Sequence, residues 1–385
     1  MNRVIYFDNA ATSYPKPPSV VQACQDFFLK AGGNPGRSGH RLSLQSARVV
    51  FQAREALAAF FGAADSSRLI FTSNATEALN LAILGTLREG DHVVTSSMEH
   101  NAVMRPLRHL ERARSVEITV VRSNPDGTLD PAAVAGALRD NTALIVLNHS
   151  SNVVGTLLPV REVAALKGSV PLLVDAAQTA GVMPIDVQRD GIDFLAFTGH
   201  KSLWGPTGTG GLFIRPGLQP LPLRFGGTGS LSEKEEMPDF LPDLYESGTL
   251  NMTGIAGLLA GLEEVERAGL PAIREHEILL TGKLLEGLKT IDGATIYGTC
   301  DPERQTATVS FNIEGLASSD ITGELDRRFN IMTRSGLQCA PAAHRTIGTH
   351  PAGTVRVSMG WFNTVQEVEC LIESLAEITR SMRRG

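Results

Sequence analysis

The strongest constraint on this chain is a rhythm in its first two-thirds, where short apolar, β-branched runs alternate with helical patterns. That alternation specifies parallel strands joined by helical crossovers, an α/β sheet. Strands are expected at 69–72, 93–95, 116–121, 143–147, 171–174, 194–198 and 211–214. Several are apolar without alternation, as strands buried on both faces must be. Residues 43–61 (SLQSARVVFQAREALAAFF) read as a long amphipathic helix, and Asp130-Pro131 as an N-cap with proline at the first helical position.

After about residue 265 the pattern changes. Helical patterns near 253–267 and 271–289 precede the sheet-like TATVSFNI at 306–313, a helix at 319–329, a loop at 333–352 and the strand in TVRVSMG. Asn363 with Gln366 reads as a capping box opening a last helix, 364–382. This is the pattern of a second, smaller α+β domain, and a chain of 385 residues has room for both.

Charge and composition exclude several roles. Lys and Arg number 35 against 41 Asp and Glu, a net charge of −6 with scattered basic residues, so nucleic acid and anionic membrane are poor partners. The uncharged stretch 141–160 is broken by Asn141, Asn148, His149, Asn152, Gly155 and Pro159 and does not suit a bilayer span. MNRVIYFDNAATS has no apolar core and carries Asp8 early, which argues against a signal peptide and for a cytoplasmic protein. The four cysteines form no CxxC pair, and His276-Glu277 lacks a second His four residues on, so no metal site is expected.

Ligands of parallel sheets sit beyond the C-terminal ends of the strands. The run at 69–72 ends in Ser73-Asn74-Ala75-Thr76-Glu77, where Asn74 and Glu77 make either a plain helix cap or an anion site at a helix start. The run at 93–95 leads to Glu99-His100-Asn101, and a single loop histidine is by itself more often structural. Asp175 ends the run at 171–174, with Gln178 three residues on, and Thr198-Gly199-His200-Lys201 ends the run at 194–198. Together, a lysine for a Schiff base and an aspartate for a pyridinium nitrogen are the pair that pyridoxal phosphate chemistry needs.

At this point the sequence resembles a known family. DNAAT at 8–12, SNATEALN at 73–80, MEHNA at 98–102, SNVVGT at 151–156, VDAAQ at 174–178 and TGHK at 198–201 look like class V aminotransferases, in order along nearly the whole chain. Arg334-Ser335-Gly336-Leu337-Gln338-Cys339-Ala340 resembles the cysteine-bearing loop of the group II, SufS-like cysteine desulfurases. The resemblance implies fold type I of the pyridoxal phosphate-dependent transferases. Its large domain, with a mainly parallel central sheet, would be 15–265, and its smaller α+β domain 1–14 with 266–385.

The activity implied is conversion of L-cysteine to L-alanine with a persulfide formed on Cys339, in a homodimer serving sulfur transfer such as iron–sulfur cluster assembly, with a possible sulfur-acceptor protein. Carried over by motif, Lys201 would bear pyridoxal 5'-phosphate, Asp175 would hold the ring-nitrogen proton, His100 would stack on the ring and Gln178 would reach its phenolic oxygen. Ala75, Thr76, Thr198 and His200 would surround the phosphate, joined by Thr249 from the partner subunit. Arg356 and Asn152 would bind the substrate carboxylate. Cys24 and Cys370 lie in helical patterns as small buried hydrophobes, and Cys300 sits in a loop without a partner motif.

The sequence departs from the family pattern at Leu337-Gln338, where group II loops usually carry histidines, and at Ala75 and Thr198, where threonine and serine are usual. The alternative is another class V enzyme: a cysteine β-lyase, a selenocysteine lyase or an aminotransferase. A nicotinamide oxidoreductase is disfavoured because no G-x-G-x-x-G follows the early strands.

Overall fold

The computed structural model describes residues 4–35 and 39–382. In chain order its strands are β1 (Ile5–Tyr6), β2 (Leu69–Thr72), β3 (His92–Ser96), β4 (Glu117–Val121), β5 (Thr142–Asn148), β6 (Leu172–Asp175), β7 (Phe194–Thr198), β8 (Gly210–Ile214), β9 (Ala294–Tyr297), β10 (Thr308–Ile313), β11 (Ile331–Met332), β12 (Arg334–Gly336) and β13 (Thr354–Ser358). All seven strands expected before residue 215 are present, and two of them, 69–72 and 194–198, have the expected bounds.

These seven form one sheet in the order β2-β8-β7-β6-β5-β3-β4. Only β8 runs against its neighbours, pairing antiparallel with both β2 and β7. The C-terminal ends of β2, β3, β4, β5, β6 and β7 therefore share one edge. Side chains alternate between two apolar cores, as the pleat demands. Phe71, Ile145, Leu147, Val174, Leu195 and Phe197 face one core, with Leu57 of the helix Arg41–Phe60 and Leu258 of the helix Met252–Ala268. Ile70, Leu144, Val146, Leu173, Phe194 and Ala196 face the other, with Leu79 of the helix Ala75–Thr86 and Leu107 of the helix Asn101–Ala113. Burial on both faces explains why these strands read as continuous apolar runs.

The later residues build a four-stranded antiparallel sheet, β12-β13-β10-β9. Val309, Phe311, Val355 and Val357 form a third core with Leu280 and Leu284 of the helix Leu270–Leu288 and Leu371 and Leu375 of the helix Val365–Met382. Ile5 and Phe7 join this core because β1 pairs with β11, and Asp8 bridges to Ser358. No helix among the described residues is long and apolar enough to cross a membrane.

Local expectations needed three corrections. The last helix is capped by Thr364 and Glu367, not Asn363 and Gln366. The Thr364 hydroxyl accepts the Glu367 N–H at 3.3 Å and Glu367 Oε2 accepts the Thr364 N–H at 3.1 Å. Asn363 instead donates to the Tyr6 carbonyl and to Glu367, a tertiary tie that overrides the local motif. Asp130 does cap a helix, accepting the Ala132 N–H, but the helical pattern AAVAGALRD, which reads on to 140, is helix only as far as Gly136. The stretch 333–352 is not all loop: β12 pairs with β13, and Pro341 opens a short helix, Pro341–Thr346.

Candidate active site

The shared edge of the large sheet lines a cavity of about 240 Å³. Lys201, Asp175, Gln178, His100, Ala75, Thr76, Thr198, His200, Asn152 and Arg356 all border it. Two expected residues do not. Cys339 is exposed and borders an adjoining groove that shares Thr76, His100 and Ala102 with the cavity. Thr249 lies on an exposed segment beside Ser73, Glu77 and Arg224, where its hydroxyl accepts from Asn34 Nδ2 at 3.3 Å.

At the end of β2, Asn74 Oδ1 accepts the Glu77 N–H at 3.0 Å and Glu77 Oε2 accepts the Ser73 N–H at 2.7 Å. This reciprocal cap starts the helix at Ala75, so the first-turn N–H groups of Ala75 and Thr76 lack intrahelical acceptors and border the cavity. The arrangement can hold an anion. His100 caps the next helix, its Nδ1 accepting the Ala102 N–H at 3.0 Å, which leaves the proton on Nε2. Burial, reinforced by the charges of Lys201, Arg334, Arg105 and Arg356, pushes its pKa down to about 4, so the ring is neutral at pH 7.

Asp175 ends β6, and its Oδ1 accepts the Ala177 N–H at 2.9 Å. Burial raises its pKa, opposed by that hydrogen bond and by Lys201. Lys201 stands three residues past β7, and burial pushes its ammonium down to about 8 although Asp175 pulls the other way. Between Thr198 and His200 only glycine fits, because a Cβ on Gly199 would lie 2.2 Å from the Thr209 hydroxyl. His200 is held neutral by burial at a pKa of about 4, and its buried Nδ1 has no partner within the protein.

Arg356, 1% exposed, donates from Nη1 to the Asn152 carbonyl at 3.0 Å and from Nη2 to Asp8 at 2.5 Å, leaving its buried Nε unpartnered. Asn152 gives one amide hydrogen to the Gln338 carbonyl at 2.7 Å, and its Oδ1 is buried without a partner. Gln178 Nε2 donates to the Ala10 carbonyl at 3.2 Å. The Thr198 hydroxyl donates to the Thr209 carbonyl at 3.4 Å.

Sequence reasoning gave no role to several residues here. Asn148 ends β5 as Asp175 ends β6, so the strand-end rule could have found it; its Oδ1 is buried without a partner. Glu99 is fully buried, with Oε1 accepting the Ser96 hydroxyl at 2.5 Å and the Asn148 N–H at 3.1 Å. Burial raises its pKa to about 8. Arg334 borders the cavity next to Arg356 across the β12–β13 register, with Nη2 3.7 Å from Cys339 Sγ. No cluster of three potential metal ligands occurs among the described residues.

The chain resembles proteins of known class over almost its whole length. A probable cysteine desulfurase of Methanothermobacter thermautotrophicus is 37% identical over 382 residues, covering 97% of this chain and 94% of that protein. A cysteine desulfurase of Escherichia coli is 34% identical over 387 residues, covering 97% and 93%. The apo structure of the cysteine desulfurase from Thermococcus onnurineus superposes with a TM-score of 0.91 at 33% identity, covering 98% and 95%. The architecture is fold type I of the pyridoxal phosphate-dependent transferases. The profile of the aminotransferase class-V family matches residues 5–371, and this chain belongs to that family.

Proposed function

We propose that the protein is a pyridoxal 5'-phosphate-dependent cysteine desulfurase of the SufS-like type, which releases L-alanine from L-cysteine and receives the sulfur on Cys339. The observation that carries the reading is one cleft bordered by Lys201, Asp175 and Arg356, with Cys339 just across His100 and Thr76. The cleft suits the cofactor on its own chemistry. A helix start with free N–H groups and the unpartnered His200 Nδ1 match a phosphate, and the buried Asp175 carboxylate matches a protonated ring nitrogen.

In this reading Ala75, Thr76, Thr198 and His200 hold the phosphate, Gln178 the phenolic oxygen, and neutral His100 lies against the ring. When bound, the cofactor supplies an electron sink beside the substrate Cα. Lys201 Nζ moves the proton at that carbon, and the burial that lowers its pKa favours the free amine this requires. Arg356 and Asn152 orient the carboxylate: the buried Arg356 Nε, without a protein partner, is free to donate to it, and so is the second Nδ2 hydrogen of Asn152. Cys339 Sγ attacks the substrate sulfur as the Cβ–S bond breaks, the bonding pair staying on Cβ. Cβ takes a proton to become the methyl group of alanine, in exchange for the one lost by the thiol, and Arg334 places positive charge beside Sγ.

The working form is a homodimer in this reading. Phe28 (73% exposed), Leu29 (72%) and Phe51 (62%) present apolar surface, and Asn34, on the same stretch of chain, contacts Thr249. A partner copy covering it would bring Thr249 toward the other cleft. The division into a domain of 15–265 and one of 1–14 with 266–385 is part of the proposal, as are a cytoplasmic location and a sulfur-acceptor protein for iron–sulfur cluster assembly.

The test is the carbon product from L-cysteine in the presence of a reductant. Alanine, with a persulfide that disappears in Cys339→Ser while cofactor stays bound, is expected. Pyruvate and ammonia would instead make the protein a β-lyase of the same family.

A further inference from the structure

Cys339 is exposed, yet the residue before it is buried: Gln338 is 3% accessible. Its Nε2 donates to the Thr354 carbonyl on β13 at 3.1 Å, and its Oε1 lies 2.7 Å from His344 Nε2. The first bond makes Oε1 an acceptor, so His344 must carry its proton on Nε2. Its Nδ1 then accepts the Thr349 hydroxyl at 2.7 Å. Burial, helped by His350, holds the His344 pKa down to about 4, so this neutral tautomer persists at pH 7.

The backbone here needs such support. Gln338 (φ +41°) and Cys339 (φ +59°) are consecutive non-glycine residues in the left-handed region, which persists only where surrounding contacts over-determine it. Two further bonds reach the segment from the other sheet edge. Asn152 Nδ2 donates to the Gln338 carbonyl at 2.7 Å, and the Asn101 N–H donates to the Cys339 carbonyl at 2.8 Å.

We propose that Gln338 is a positioning residue that, through His344 and Thr354, locks the Cys339 loop so that Sγ stays at the wall between the cleft and the outer groove. The chain thus carries a buried neutral clamp beside its exposed thiol. Asn152, which borders the cleft and holds the same loop, ties the carboxylate-binding wall to it. The consequence for turnover rests on the desulfurase reading; the clamp itself does not.

The test is hydrogen exchange by mass spectrometry on the holoenzyme, read on peptides covering 333–347, with steady-state alanine formation beside it. Gln338→Met keeps the volume and removes both side-chain bonds. It is expected to speed exchange in this segment at least about tenfold, the scale of one lost buried hydrogen bond at ~1.4 kcal/mol, while the helix Ala75–Thr86 is unchanged. kcat should fall about tenfold with KM for L-cysteine nearly constant, because the nucleophile and not the binding site is displaced. If Gln338→Met does not fold, His344→Leu, which takes the donor from Oε1, reads the same segment. Exchange at the wild-type rate overturns the clamp. Faster exchange with unchanged kcat overturns its role in positioning Cys339. A wild-type enzyme that yields pyruvate defeats the desulfurase reading, and the exchange result still judges the clamp.

Discussion

Arg356 Nη2 lies 2.5 Å from Asp8 Oδ1, a pair that joins residues 348 positions apart at the wall of the cleft. β1 pairing with β11 and the bridge from Asp8 to Ser358 bring the two together. With Nη1 held by the Asn152 carbonyl, the guanidinium is fixed at two corners before any substrate arrives. Such pre-orientation favours a planar carboxylate over less defined anions.

Arg356→Lys removes the fork but keeps the charge. The expected result is a 10- to 100-fold rise in KM for L-cysteine, roughly the 1.5–3 kcal/mol of a charge-assisted bond, with cofactor content preserved. Steady-state kinetics and the visible spectrum decide it. A KM within twofold of wild type would remove Arg356 from carboxylate binding.

Lys201 has a signed pH consequence. Its pKa drops from 10.5 to about 8 on burial, so between these values the unfolded chain holds a proton that the folded one has released. Its contribution to stability is full above 10.5 and is lost as pH falls through 8. The cofactor-free Lys201→Met variant should therefore be more stable than wild type at pH 7, with the gap closing by up to about 1.4 kcal/mol per pH unit through that window. Urea unfolding at pH 7.0, 8.5 and 9.5 reads this, and a gap independent of pH contradicts it.

Glu99 shifts in the opposite direction. Burial raises its pKa from 4.5 to about 8, so its stabilising contribution is whole below 4.5 and is lost as pH rises through 8. Glu99→Gln, a neutral isostere, should flatten the loss of stability between about pH 5 and 8 and be the more stable protein at pH 8.5. Denaturant titrations of both proteins at pH 5.5 and 8.5 suffice. Equal slopes would mean that Glu99 is ionised in the folded state.

The double variant Phe28→Asp with Phe51→Asp places charge on the exposed apolar surface of the stretch that also carries the Asn34 contact to Thr249. Sedimentation should show a dimer for wild type and a monomer for the variant, with cofactor held more weakly because Thr249 would no longer arrive from a partner. A wild-type monomer, or a variant dimer with full cofactor affinity, would move the interface elsewhere.

Much of this was legible in the residues. Strands 69–72 and 194–198 read correctly because burial on both faces leaves an unbroken apolar run. Asn74 and Glu77 cap a helix as their spacing implied, since that hydrogen bonding closes within four residues. The Asn363–Gln366 cap failed because Asn363 is claimed by the Tyr6 carbonyl, far away in sequence. Gln338 looked like a mere departure from the family loop, and only its contacts with His344 and Thr354 give it a task.

Local pattern was enough for the strands and helices of the first two-thirds, the polar residues that end those strands and the family, because periodicity, caps and motifs survive in any arrangement of the chain. It missed the strand Arg334–Gly336 and the helix Pro341–Thr346. Which of the polar residues meet depends on the packing of the whole chain. The order β2-β8-β7-β6-β5-β3-β4 puts the C-terminal ends of six strands on one edge, and the β1–β11 pairing carries Asp8 to Arg356. Long-range strand order is set by how whole faces pack. So are the burial that neutralises His100 and His344 and the shift of Lys201 toward physiological pH, since desolvation depends on everything surrounding a group.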